Sequence, residues 1–273
     1  GRNQVRCYAD IDGTYNATAG VTWVKRITQA IENNQLLLYH QAIVETQMPQ
    51  QPVHCELLLR LRDEMGQVQG PAAFLPTAER YNLMPEIDRW VIRHAFQRYA
   101  EVDGHHSMCV YSEQCGMCRY AINLSGASLN DEQLIEFIEV QLATHHVPPN
   151  KICFEITETV AIANLTRARA IIRQLKSLGC QFALDDFGSG MSSFSYLKTL
   201  PLDFLKIDGS FIQDLMTDAV ARAMVESIHH IGHLMGLKTI AERVEDQATL
   251  AILQEIGVDY IQGYLIDQPR PIT

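Results

Sequence analysis

Residues 183–208 read ALDDFGSGMSSFSYLKTLPLDFLKID. An apolar run ends in adjacent acids, Asp185 and Asp186. A glycine-rich loop and a short amphipathic segment follow, and a second apolar run ends in Lys206 and Asp208. Carboxylates gathered at a strand end repel one another. At about 4 Å a like-charged pair costs roughly 4 kcal/mol at an effective dielectric near 20. Such groups must protonate, move apart or bind cations, and a divalent metal site is the economical reading.

The same rhythm extends in both directions. Apolar runs at 36–44, 53–61, 119–124, 152–157, 181–185, 204–208, 238–241 and 260–262 read as strands, and helical periodicity at 131–144, 160–178, 211–235 and 247–256 lies between them. Gly179, Gly236 and Gly257 sit just past a helix and just before a strand, as helix-terminating glycines do. Strands alternating with helices over this length predict an α/β fold, a (β/α)8 TIM-like barrel. The alternative is an open doubly wound sheet, which is disfavoured because no GxGxxG follows an early strand.

In a barrel the catalytic groups come from the C-terminal strand ends, and polar residues fall there repeatedly. Glu56 lies in the second strand, Asn123 ends the third and Glu155 is near the end of the fourth. Asp185 and Asp186 end the fifth, Lys206 and Asp208 the sixth, Glu242 follows the seventh and Gln262 ends the eighth. Side chains alternate along a strand, so Glu56 shares a face with Arg60, and Lys206 with Asp208. Asp185 and Asp186 would face oppositely unless the backbone turns at Asp186, which Gly188 and Gly190 permit. With oxygen donors and no His or Cys in phase, the set favours Mg2+ or Mn2+ over zinc. There are carboxylates enough for two ions, which in such sites lie about 3.5–4 Å apart, generate hydroxide and clamp a phosphoryl oxygen.

Composition limits the partners. The chain has 273 residues, 47% hydrophobic and 20% charged, enough for one large core, and a net charge of −10. That charge argues against nonspecific DNA or RNA binding but not against a small phosphorylated ligand held through metals. No apolar run reaches membrane-spanning length and no signal peptide is visible. Seven scattered cysteines suit free thiols in a reducing cytoplasm; a membrane anchor on a longer parent is left open. His105, His106, Cys109, Cys115 and Cys118 form a local cluster, but one CxxC without a second half is more simply a connection of no special role.

The ordered motifs resemble the EAL family of cyclic di-GMP phosphodiesterases: HQAIV at 40–44, ELLLR at 56–60, FLPTAER at 74–80, NLS at 123–125, FEITET at 154–159, the 185–208 stretch, AERVE at 241–245 and QGY at 262–264. The resemblance implies metal-dependent hydrolysis of cyclic di-GMP to linear pGpG over residues 20–273. It implies metal ligation by Glu56, Asn123, Glu155, Asp185 and Asp186, and a Lys206 contact to the attacking water. Glu242 would act as ligand or base, Arg60 would contact phosphate, and Gln41 and Gln262 would touch substrate. Glu158 would steady the loop after the fifth strand, and Asp208 and Glu245 would tune the site from outside it. A homodimer is also implied, through the segments after the fifth and sixth strands. Residues 1–19 read as a linker or the tail of an upstream GGDEF-like regulatory domain.

Three positions depart from the family pattern: Leu57 for alanine, Ala42 for a usual proline, and Arg243 where glycine is frequent. Leu57 is expected to leave the metal alone but to narrow or repack the substrate groove. Two rival readings are a module that binds cyclic di-GMP without cleaving it, and a barrel enzyme using Lys206 as base beside one Mg2+.

Overall fold

The computed structural model describes residues 17–63, 65–102, 119–188 and 194–272. The cysteine-rich segment, the first 16 residues and the centre of the glycine-rich loop lie outside them. Helix α1 (Ala17–Glu32) leads into strand β1 (Leu36–Glu45) and strand β2 (Met48–Arg62). The remaining barrel strands are β3 (Arg119–Asn123), β4 (Ile152–Thr157), β5 (Gln181–Phe187), β6 (Phe204–Ile207), β7 (Lys238–Ala241) and β8 (Tyr260–Gln262). From β2 to β8 each strand pairs in parallel with the next.

The sheet closes through β1, which is antiparallel to both β2 and β8. Strict strand–helix alternation would make every neighbour parallel. Here β1 turns directly into β2 at Thr46 and Gln47, because a parallel return needs a crossover of a dozen residues or more. The short gap between the first two apolar runs was the signal of that hairpin.

Around the barrel run α2 (Leu75–Arg80), α3 (Met84–Val102), α4 (Leu134–Thr144), α5 (Glu158–Ala163), α6 (Leu165–Leu178), α7 (Gly209–Gln213), α8 (Ala219–Leu234) and α9 (Gln247–Ile256). Helix α6 buries Ala168, Ile171, Ile172 and Leu175, one stripe at helical spacing. Two long helices expected from periodicity are each divided. The Asn164 side chain accepts from the Arg167 N–H and starts α6, and Asp218 accepts from Val220 and starts α8. The apolar stripe runs on through both breaks, so periodicity alone conceals them. Helix α9 agrees with the sequence, with Asp246 capping its start and Gly257 ending it at φ 90°.

Inside the barrel, side chains two residues apart on each strand form two layers. The lower one contains Ile43, Ala121, Cys153, Ala183, Phe204 and Ile240, with Tyr260 packed against them. His54 joins it, edge-on to Phe204 and Tyr260 at 4.8 and 5.3 Å between ring centres. Two residues further along the same strands come Glu56, Asn123, Glu155, Asp185, Lys206, Glu242 and Gln262. His54 and Cys153 therefore do share the inward phase, contrary to expectation, but they belong to the apolar plug beneath the acids. Leu57 is buried in the outer core between strands and helices, so it does not narrow the groove; the inward neighbour of Glu56 is Leu58.

Candidate active site

Lys206 organises the upper layer. It is fully buried, and its Nζ lies 2.8 Å from Glu242, 2.9 Å from Glu155, 3.0 Å from Asp185 and 3.4 Å from Glu56. Three strands and the residue just past β7 thus deliver carboxylates to one ammonium. Burial alone would lower the Lys206 pKa, but the surrounding carboxylates outweigh it and hold the ammonium charged well past its usual range. Burial pushes Glu242 up strongly and Glu155 to about 8, despite the lysine. For Asp185 burial is outweighed by Lys206 and hydrogen bonds, and it titrates below the usual carboxylate range. One cation among so many acids leaves negative charge uncompensated.

Asp186 enters the same mouth through its backbone. Its φ is 54°, and the ladder to β6 slips between Leu184 and Phe187, the bulge that re-aims a side chain. Carboxylate oxygens of Asp185, Asp186 and Glu242 consequently lie within 4.8 Å of one another. Burial and the neighbouring Asp185 and Asp208 raise Asp186 to about 6. Asp208 also accepts from the Ser210 N–H and caps α7. Asn123 donates to Glu56 at 2.8 Å. The donors are hard oxygens with excess charge, as a divalent ion of the Mg2+ or Mn2+ type requires, and this chain fits that group.

A second network fixes the wall. Gln262 Nε2 donates to Glu56 at 2.7 Å and to Gln41 at 3.0 Å. Gln41 Nε2 donates to the Asp267 carbonyl at 2.9 Å, and the Ala42 N–H donates to the Asp267 carboxylate at 3.2 Å. Proline at position 42 could not make that last bond. Asp267, buried, also pairs with Arg270 at 3.0 Å. Gly263 lets two backbones meet: a Cβ there would fall 2.1 Å from the Val244 carbonyl oxygen. That contact docks the loop after β7 on the end of β8.

Beside the acids opens a cavity of about 450 Å³, lined by Gln41, Glu56, Arg60, Glu242, Arg243 and Gln262 among others. Arg60 lies over the Tyr39 ring, 5.2 Å from its centre. Glu158 is elsewhere: its carboxylate accepts from the Gly188 N–H at 3.0 Å and from the Tyr196 hydroxyl. These residues flank the two sides of the glycine-rich loop, so Glu158 holds the loop's ends and touches neither the cavity nor Lys206 among the described contacts. Another possible ligand group, His229, His233 and Asp259, sits by the start of β7, away from this mouth. Asp259 there is already held by Lys238 and the Thr239 N–H.

The EAL domain description matches residues 24–269. This chain belongs to the EAL-domain family. Cyclic di-GMP phosphodiesterase PdeB of Shewanella oneidensis is 43% identical over 275 residues, covering all of this chain and 31% of that protein. Cyclic di-GMP phosphodiesterase PdeF of Escherichia coli is 36% identical over 92% of this chain and 32% of its own length. The chain thus spans about a third of these curated relatives. Among solved structures, the PaMucR phosphodiesterase in complex with c-di-GMP aligns with a TM-score of 0.83 at 32% identity, covering 92% of this chain and 98% of that one. The Pseudomonas aeruginosa FimX EAL domain bound to c-di-GMP aligns at 0.82 and 31%, over 92% and 97%.

Within this EAL domain, Glu56, Asn123, Glu155, Asp185, Lys206, Glu242 and Gln262 come together as the strand phase predicted; Asp186 joins them through the turn in its backbone, and Gln41, named only through the resemblance, lies with Arg60 on the cavity wall. Asp267 and Tyr196 went unread in the sequence. Each acts through a partner more than 30 residues away, and no spacing announces such a pairing.

Proposed function

We propose that this domain hydrolyses one phosphodiester of cyclic di-GMP to give linear pGpG. Water oxygen adds to phosphorus, the P–O3′ bond breaks, and the departing 3′ oxygen takes a proton. The observation that carries this reading is the convergence of Glu56, Glu155, Asp185 and Glu242 on Lys206 beside the cavity. The relatives named as phosphodiesterases support it.

Divalent ions, two of Mg2+ or Mn2+ in this proposal, supply charge neutralisation at the phosphoryl oxygens and acidify the attacking water. Glu56, Asn123, Glu155 and Asp185 would hold them, with Asp186 helping to hold the second. Lys206, clasped by four carboxylates, orients the attacking water in this proposal. Glu242 faces both the acid cluster and the cavity, where it serves as an ion ligand or accepts the water's proton. Arg60 meets a phosphate, and Gln41 and Gln262 border the bound nucleotide.

The proposal includes a homodimer formed through the segments after β5 and β6; Met216, between α7 and α8, and Val220, in the first turn of α8, are exposed apolar residues suited to burial there. It also includes an upstream regulatory domain in a longer, cytoplasmically facing parent. Incubation with cyclic di-GMP and Mn2+, followed by chromatographic separation, should yield pGpG. Asp185→Ala or Glu56→Ala should abolish turnover with the fold retained, and near-parental rates in either would refute the assignment. Nucleotide bound but recovered intact would instead identify a receptor.

A further inference from the structure

We propose that Arg243 is a substrate-binding residue of this site, gripping paired acceptor atoms of the dinucleotide away from the scissile phosphate. This deepens the reading above and rests on it. Arg243 follows Glu242 directly and lines the same cavity as Arg60 and Gln262. Its backbone is left-handed, at φ 52°, a region that disfavours any residue with a Cβ. Arginine is thus held where the backbone favours glycine, a pattern associated with functional sites.

The surroundings accommodate that side chain. It lies over Gly209 at the start of α7, where a Cβ would fall 2.4 Å from Arg243 Cδ and 2.7 Å from Cγ. The stem rests on a glycine backbone, and the charged end remains exposed. Among the described residues the guanidinium has no hydrogen bond or ion pair, although Arg60 spends one donor on the Leu59 carbonyl at 2.8 Å. A planar fork of unengaged donors suits two neighbouring acceptors. Both a phosphodiester and the O6/N7 edge of guanine present such a pair. In a chain of net charge −10, a cation on this wall also draws an anionic ligand toward the acids.

Arg243→Gly separates binding from structure. Removing the left-handed strain should raise the melting temperature by about 2–4 °C. The same change should raise KM for cyclic di-GMP about tenfold with kcat within twofold, and weaken calorimetric binding in Ca2+ in the same proportion. Arg243→Lys, a point charge without the fork, should fall between. Cyclic di-AMP separates the two acceptor sources. A guanine contact makes the variant lose its preference for cyclic di-GMP, whereas a phosphate contact weakens both nucleotides equally. Unchanged KM and Kd in Arg243→Gly would overturn the inference. Parental protein that binds but does not cleave would overturn hydrolysis, leaving the Kd comparison to decide Arg243; parental protein that does not bind would overturn both.

Discussion

The barrel interior holds two layers only two residues apart along each strand, and they solve opposite problems. The lower layer surrounds Phe204, Tyr260 and His54 with small side chains, Ala121, Cys153 and Ala183. It excludes charge so thoroughly that burial, aided by Arg119, lowers His54 to about 3. The upper layer concentrates charge around Lys206. The lower layer is held by packing alone, while the upper layer depends on a cation, whether ammonium or metal. A rigid apolar plug is what allows repelling acids above it to be kept in register.

The largest expected effects test that contrast directly. Lys206→Ala leaves buried carboxylates without their cation and should cost about 3–5 kcal/mol, and Phe204→Ala should cost a similar amount through its cavity. Urea unfolding with and without Mn2+ distinguishes them. Mn2+ should narrow the gap between Lys206→Ala and the parent, whereas Phe204→Ala should stay equally far below it. Equal responses would mean that the upper layer is not held by charge.

Glu158→Ala strands the Gly188 N–H and Tyr196 hydroxyl and should cost up to about 3 kcal/mol. Limited proteolysis should then cut near residues 188–196 faster, and kcat should fall, while Mn2+ affinity stays parental. A variant with unchanged proteolysis and kcat would remove Glu158 from the loop's support.

The layers should also titrate in opposite directions. His54 stays neutral when folded but takes a proton near its ordinary value of 6.5 when unfolded, so its contribution to stability is lost as pH falls below 6.5. Between pH 7 and 5 that loss is about 2 kcal/mol, and His54→Phe should flatten the difference from the parent by that amount. Glu155, raised to about 8, binds its proton more tightly folded than unfolded, so it costs stability as pH rises from about 4.5 toward 8. Parallel pH profiles for the parent and His54→Phe would contradict a neutral plug. The smallest effect is Ala42→Pro, which removes only the N–H donated to Asp267 and should cost about 1 kcal/mol, measured by thermal unfolding.

Much of this arrangement was legible because a strand has a period of two and every strand here buries its inward face. Once the strand ends were located, Glu56, Asn123, Glu155, Lys206 and Gln262 had to share one mouth. Asp186 was readable only as a condition, that the backbone turn there, and its positive φ meets that condition. The β1–β2 hairpin was implicit in a short gap. The helix breaks at Asn164 and Asp218 were hidden because one capping side chain interrupts a helix without disturbing its apolar stripe. Arg243 stood out as a departure, but its left-handed backbone and its seat on Gly209 depend on how two separate loops meet.

The most direct test is anomalous scattering from crystals grown with Mn2+ and cyclic di-GMP. Manganese is expected among the oxygens of Glu56, Asn123, Glu155 and Asp185, with the nucleotide in the adjoining cavity. Manganese absent from that mouth while the nucleotide is bound, with Lys206 still clasped by all four acids, would contradict the account.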